Sequence, residues 1–278
     1  MPPPRIGLIV TGAEALADFR IFCRTLEGWH PDAELYIFTD SATDIASVPF
    51  KGKVHTRVAL DAYKGLTRSD MEARTGTLYD SLFKDYTYEK ANVLDWMWES
   101  RAGIEGVWFL DADICHLAPL PLIPEGKTLA LSPHGIRAGD ESRYGKYNAG
   151  FLWLNDRTLL EAWRAFGFTS RFFEQAALED LATLPTTKLY EFPPQVNFGW
   201  WRMYQNSLPP ADIQGRFGFN RADRSIGLRY LEAPVQSFHT HWGQNSSVTG
   251  IFNLWARTYL RRFASHAPIA RFLRVIGS

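Results

Sequence analysis

The sequence predicts an α/β fold: a Rossmann-like, mixed but mostly parallel sheet with flanking helices, followed by a helical C-terminal tail. Three observations lead there. Short runs rich in Ile, Val and Leu alternate with stretches of helical periodicity, the rhythm of strands joined by crossover helices. Several of these runs are apolar throughout, as strands covered on both faces are. They also stop abruptly at Thr, Gly or Asp, placing polar residues at the carboxyl edge of the sheet, where such folds bind ligands.

The first run, RIGLIV at 5–10, reads as a buried strand ending in Thr11 and Gly12. Residues 13–28 have helical spacing. ELYIFT at 34–39 is a second strand, stopping at Asp40, and 54–58 is a candidate third. The stretch 61–85 is polar and irregular. A helix is expected over 88–99, then the strand VWFL at 107–110, which runs into Asp111-Ala112-Asp113. Further strands are expected at 128–132, 148–154 and 235–239, and helices over 156–167 and 171–184. The segments 134–147 and 193–201 read as loops. Residues 251–276 form one helical pattern carrying Arg257, Arg261, Arg262, Arg271 and Arg274 without an acid. The expected organisation is therefore one domain over 1–250 and a basic, aromatic helix over 251–278.

Bulk properties narrow the function. The 278 residues hold 30 Lys plus Arg against 30 Asp plus Glu, so the formal charge is zero. A dedicated nucleic-acid binder needs a basic excess to displace counterions, and no nucleic-acid partner is expected. Cys23 and Cys115 lie far apart and read as buried free thiols. The apolar run near the start is too short for a membrane span of ~20 residues or a secretory signal. The expectation is a cytoplasmic protein, with any membrane contact peripheral, through the basic aromatic tail lying on an anionic surface. The tail packing on the domain with its arginines in water is the alternative.

The chemistry concentrates at Asp111 and Asp113. In extended backbone, residues i and i+2 face the same way, so both carboxylates can address one cation at the sheet edge. Carboxylates are hard ligands suited to Mg²⁺ or Mn²⁺. Acidic pairs also occur in solvated loops; the apolar strand immediately before this one favours the metal reading. A divalent ion would offset charge developing on a diphosphate leaving group while a sugar passes through an oxocarbenium-like state.

Four blocks, VWFLDAD, YNAGFLWLN, FFEQAALEDL and SFHTHWG, occur in the order seen in the GT-A glycosyltransferases. The sequence most resembles their glycogenin and bacterial lipopolysaccharide galactosyltransferase group, over about residues 5–243. The resemblance implies a GT-A sheet, a nucleotide diphosphate sugar donor, uridine-linked by preference, a glycan or lipid-linked glycan acceptor, and transfer with retention. It implies that Asp113 ligates the metal and Asp111 lies near metal and ribose. Thr11, Gly12 and Asp40 would sit by base and ribose, and Lys90, Ala112, Asn148 and Ala149 by the donor. Glu174-Gln175 falls where the group carries Asp-Gln below the anomeric carbon. The metal histidine is either His239 or His241, since neither has the group's spacing to Gly243. The group's later Lys-Pro-Trp is absent, leaving Arg137, Arg143 and Lys146 as replacements at the phosphate. Asn197 and Trp242 are candidate acceptor contacts, with Trp200 and Trp201 beside them.

Each assignment has a plainer counterpart. Asn148 can cap a turn, Glu174 and Gln175 can line an exposed helix face, Lys90 can be a solvated charge, and the tryptophans can be core. Two other classes compete with transfer: a sugar nucleotidyltransferase, which would carry a Gly-rich basic loop after the first strand, and a non-catalytic sugar- or nucleotide-binding module on the same fold.

Overall fold

In the computed structural model, which describes residues 2–100, 106–243 and 247–277, seven of the strands share one sheet. In chain order the strands are β1 (Arg5–Val10), β2 (Glu34–Thr39), β3 (Lys53–Val58), β4 (Val107–Leu110), β5 (Ile114–His116), β6 (Leu129–Pro133), β7 (Tyr147–Leu154), β8 (Leu189–Glu191), β9 (Phe198–Gly199), β10 (Phe217–Phe219), β11 (Leu228–Tyr230), β12 (Ala233–Pro234) and β13 (Ser237–His239). The helices are α1 (Gly12–Leu26), α2 (Arg68–Glu72), α3 (Leu82–Glu99), α4 (Ala138–Tyr144), α5 (Thr158–Gly167), α6 (Phe173–Thr183), α7 (Trp201–Tyr204), α8 (Pro210–Gln214), α9 (Ser247–Arg261) and α10 (Ala267–Val275).

The main sheet runs β3-β2-β1-β4-β7-β6-β8. Only β7 is antiparallel to its neighbours, β4 and β6. Both faces are covered, which explains the unbroken apolar runs. Tyr36, Phe38, Val107 and Phe109 point towards α3, α5 and α6. The alternate residues Leu35, Ile37, Trp108 and Leu110 pack with Phe19 and Phe22 of α1. A second sheet, β5-β13-β9, lies just beyond the DxD turn, with β13 antiparallel to β5 and parallel to β9.

Several sequence expectations need correction. Helix α3 starts at Leu82, six residues before the apolar periodicity becomes evident, because the Ser81 side chain caps it by accepting from Lys84 N. The polar stretch before it holds α2, stapled by a Thr67–Asp70 capping box. The expected loop 134–147 contains α4, and 193–201 contains β9 and the start of α7. The single tail helix is two, α9 and α10, with Pro268 in the first turn of the second, where a missing N–H costs nothing. Phe252, Ala256, Leu260, Ile269, Phe272 and Leu273 of these helices share a core with Phe198, Phe238 and Trp242. No helix among the described residues is long and apolar enough to cross a membrane.

Candidate active site

The two halves of the site meet through strand pairing. Strand β4 ends at Leu110, and Asp111 N donates to Gly150 O of β7 at 2.8 Å, which fixes the first carboxylate against the antiparallel strand. The chain then turns, with Ile114 N bonding Asp111 O, and enters β5. There Ile114 faces His239 across the ladder, and Thr240 N bonds Asp113 O at 3.1 Å. The late strand thus delivers its histidine directly beside the acidic pair.

His239 Nε2 lies 3.1 Å from Asp113 Oδ1 and 3.8 Å from Asp111 Oδ2. One ligand atom from each of Asp111, Asp113 and His239 falls within 4.8 Å of the others. Of the two candidate histidines, His239 is the one in this grouping. His241 also approaches Asp113, its Nε2 at 3.5 Å, but its Nδ1 is held at 2.7 Å by Asp18 of α1. The Trp201 indole packs roughly perpendicular to the His239 ring, centroids 5.0 Å apart. The carboxylates, both histidines, Asp18, Trp200 and Trp201 line a cleft of about 350 Å³.

The donor set fits a divalent ion. Two hard carboxylates with one imidazole suit Mn²⁺ better than Mg²⁺. Asp113 has no Lys or Arg partner among the described residues. Burial works against its charge, but His239 and His241 outweigh that and hold its carboxyl below the usual range. His241 shows the same competition from the other side. Burial lowers its affinity for protons, Asp18 and Asp113 more than compensate, and its pKa is raised to about 9.

Asp111 is anchored from behind. Lys90 of α3 reaches Asp111 at 3.4 Å and Glu174 at 2.9 Å, and its Nζ donates to Ala149 O at 3.5 Å. The ammonium is buried, which alone would lower its pKa; the two carboxylates win and raise it. Lys90 therefore bridges the DxD strand and the first turn of α6. Glu174 is buried there, preceded by Phe173 in the left-handed region at φ 42°. A non-glycine residue held that way is strained, a feature found at sites the fold over-determines. Gln175 points aside, donating to Tyr144 O at 2.8 Å.

At the ends of β1 and β2, Gly12 N donates to Thr43 Oγ1 (2.8 Å), which donates to Asp40 Oδ2 (2.9 Å). The other Asp40 oxygen accepts from Ala42 N. Thr11 shares a hydrogen bond with Tyr86 OH. These residues form a tied rim along the sheet edge. Ala112 lines the cleft itself. Arg137 pairs with Asp140 and Lys146 with Glu191, while Arg143 lies over the Tyr144 ring. None of the three has a contact with the acidic pair among these interactions.

Two acceptor assignments change. Trp242 is 3% exposed, its indole N–H bonded to Cys115 Sγ, so it offers no face to a sugar. Asn197 is fully buried and bonds Ser132, Asn148 and His239 rather than solvent. Three neighbours escaped sequence reasoning. Asp18 carried one signal, an acid on the apolar face of α1 beside Phe19 and Phe22. Ser132 carried none. Gly150 gained meaning only from the pairing of β4 with β7, since a Cβ there would overlap the Asp111 carboxylate and sit 2.8 Å from His239 Cε1.

No protein-family model and no curated protein sequence matches the chain. Solved structures do. The apo form of the glycosyltransferase GlyE from Streptococcus pneumoniae TIGR4 superposes with a TM-score of 0.53 at 14% identity, covering 97% of this chain and 62% of that one. The galactosyltransferase LgtC, crystallised with donor and acceptor sugar analogues, gives 0.50 at 14% identity, covering 98% of this chain and 95% of that one. The chain has the GT-A fold. The likeness is one of backbone architecture. Within that GT-A sheet, the Asp-Asp-His group stands at the carboxyl edge of β4, at the junction with the smaller sheet.

Proposed function

We propose that this protein is a glycosyltransferase that moves a sugar from a nucleotide diphosphate donor, uridine-linked by preference, to a hydroxyl of a glycan or lipid-linked glycan. The convergence of Asp111, Asp113 and His239 at the carboxyl edge of the GT-A sheet carries this reading. These three residues would hold Mn²⁺, or Mg²⁺ with weaker affinity. When bound, the ion would offset negative charge developing on the leaving diphosphate.

The remaining residues have roles that follow from their positions. Lys90 holds Asp111 in place and ties it to Glu174 at the start of α6. Asn148 and Ala149, on β7 beside Asp111, would contact the donor sugar, with Gly12, Thr11 and the Asp40 loop towards the nucleoside. Trp200, half-buried on the cleft wall beside the buried Trp201, offers an aromatic surface for a pyranose. No His, Asp or Glu aimed at an acceptor is needed if transfer proceeds with retention, since a leaving phosphate oxygen can take the acceptor proton on the same face. A double displacement would instead require a nucleophile under the anomeric carbon, and Glu174 is the carboxylate nearest that role.

The test is thermal stabilisation by UDP, GDP and CDP, each with and without Mn²⁺, for wild type and Asp113→Asn. A ligand bound only by the native state raises the melting temperature by mass action. The expected result is a Mn²⁺-dependent shift with UDP that vanishes in Asp113→Asn. A shift indifferent to metal and to Asp113, or none with any nucleotide, refutes the proposal.

A further inference from the structure

Behind His239 lies a buried chain of amides whose orientation is decided by one backbone N–H. Gly150 N donates to Asn148 Oδ1 at 3.2 Å. A backbone N–H can only donate, so the Asn148 atom facing it must be the oxygen. That same oxygen receives Asn197 Nδ2 at 3.2 Å, and the second Asn197 N–H goes to Ser132 Oγ at 3.2 Å. Both amide protons of Asn197 are thereby committed. Its oxygen is left facing His239 Nδ1, also at 3.2 Å. An amide oxygen can only accept, so His239 Nδ1 must carry a proton. Turning either amide over would set two donors or two acceptors against each other in a dry site, where an unmade hydrogen bond costs about 1–3 kcal/mol. Asn197 is fully buried and Ser132 likewise, so water cannot repair such a mismatch.

We infer that Asn197, braced by Asn148 and Ser132, is a positioning residue that fixes the His239 tautomer and leaves Nε2 as the nitrogen available to a divalent cation. Nε2 is the atom aimed at Asp113 and Asp111, and the Trp201 indole packs roughly perpendicular to the imidazole ring. A ligating histidine gains orientation and basicity when its other nitrogen is hydrogen-bonded, and here a neutral amide does this rather than the more usual carboxylate. A carboxylate at that position would add a negative charge beside Asp111 and Asp113; the amide orients the ring without one. The signal that sequence alone attached to Asn197, a contact for acceptor, is replaced by a role one layer behind the metal site.

This inference rests on the metal-binding reading above, and its test separates the two. Direct Mn²⁺ binding is measured by electron paramagnetic resonance on wild type, Asn197→Leu and Ser132→Ala, each shown to be folded by circular dichroism. Removing the acceptor in Asn197→Leu is expected to weaken Mn²⁺ binding by about 10–100-fold. Ser132→Ala removes one brace while the Asn148 bond still holds the amide, so its affinity stays near wild type. In wild type loaded with diamagnetic Mg²⁺, long-range proton–nitrogen NMR should find the His239 proton on Nδ1 and none on Nε2. This second readout needs no variant and stands if Asn197→Leu fails to fold. Wild-type affinity in Asn197→Leu, or a proton on Nε2 in the loaded protein, overturns the relay alone. Failure of wild type to bind either ion overturns the metal site and the relay with it.

Discussion

Gly150→Ala is the smallest change that reaches the heart of the site, and its consequences can be worked through. A Cβ at this position would stand 2.6 Å from the Asp111 carboxyl carbon and 2.8 Å from His239 Cε1. Carbon atoms in contact settle at roughly 3.5–4.0 Å, so the Asp111 carboxylate must retreat by about 1 Å. It cannot retreat freely. Its backbone N–H is tied to Gly150 O, and Lys90 grips its far side. Overpacking of this kind costs about 1–3 kcal/mol. At about 2–4 °C per kcal/mol for a domain of 150–250 residues, the melting temperature should fall by several degrees. The specific effect is on the metal. If ligand displacement weakens Mn²⁺ binding by about 100-fold, stabilisation at saturating metal drops by about 2.7 kcal/mol. Differential scanning fluorimetry with and without Mn²⁺ separates the two effects: the first lowers both curves, the second closes the gap between them. A Gly150→Ala protein that keeps the full wild-type Mn²⁺ shift would refute the assignment of Asp111 as a ligand.

Other outcomes follow from the same geometry. Lys90→Met strands the buried Glu174 carboxylate along with the partly exposed Asp111 and should cost about 3–5 kcal/mol in chemical denaturation; a loss under 1 kcal/mol would mean the bridge is dispensable. Because the Lys90 pKa is raised, its contribution is complete below the unfolded value and is lost only as pH rises through the higher folded one, so wild-type and Lys90→Met stability should differ by a constant amount from pH 6 to 9. His241, raised to about 9, behaves differently: in metal-free protein its stabilisation is full below roughly pH 6.5 and fades as pH climbs through 9, and Asp18→Asn should flatten that part of the pH–stability curve. A slope unchanged in Asp18→Asn would sever the link between the two. Phe272→Ala should cost about 3–5 kcal/mol, and truncation after residue 250 should leave an aggregating protein, because both expose the core built on Phe198 and Phe238; a truncated chain that melts at the wild-type temperature would show the tail to be an accessory.

The sheet and its acidic pair were legible because both are written locally. VWFL is apolar on both faces, and the next residue is the carboxylate that ends it, so strand, burial and site share one heptapeptide. The histidine was legible only as a pair of candidates. Choosing His239 over His241 depends on the register of β13 against β5, a pairing between segments far apart in the chain. Asp18 is on the other side of the molecule in sequence and joins only because α1 runs under that same small sheet. The three-residue strands at β5, β8, β10 and β11 are too short to show a period, and α4 lies in a polar, seven-residue stretch with no buried residue to mark an apolar face. Trp242 illustrates the opposite error: an aromatic next to a candidate ligand reads as a sugar platform until its indole is seen buried against Cys115.

The pairing of β5 with β13 has a consequence for how the protein is made. Asp111 and Asp113 leave the ribosome long before His239, and the strand that carries the histidine meets the acidic pair only when it finds β5. Closing so long a loop is slow, since its entropy must be spent before the contacts reward it. An ion held by both segments would act as a clasp across that loop, present in the folded chain and absent from its unfolded ensemble. Mn²⁺ in the refolding buffer should then raise the yield of native protein, and an N-terminal fragment ending before β13 should bind the ion no better than any pair of solvated carboxylates.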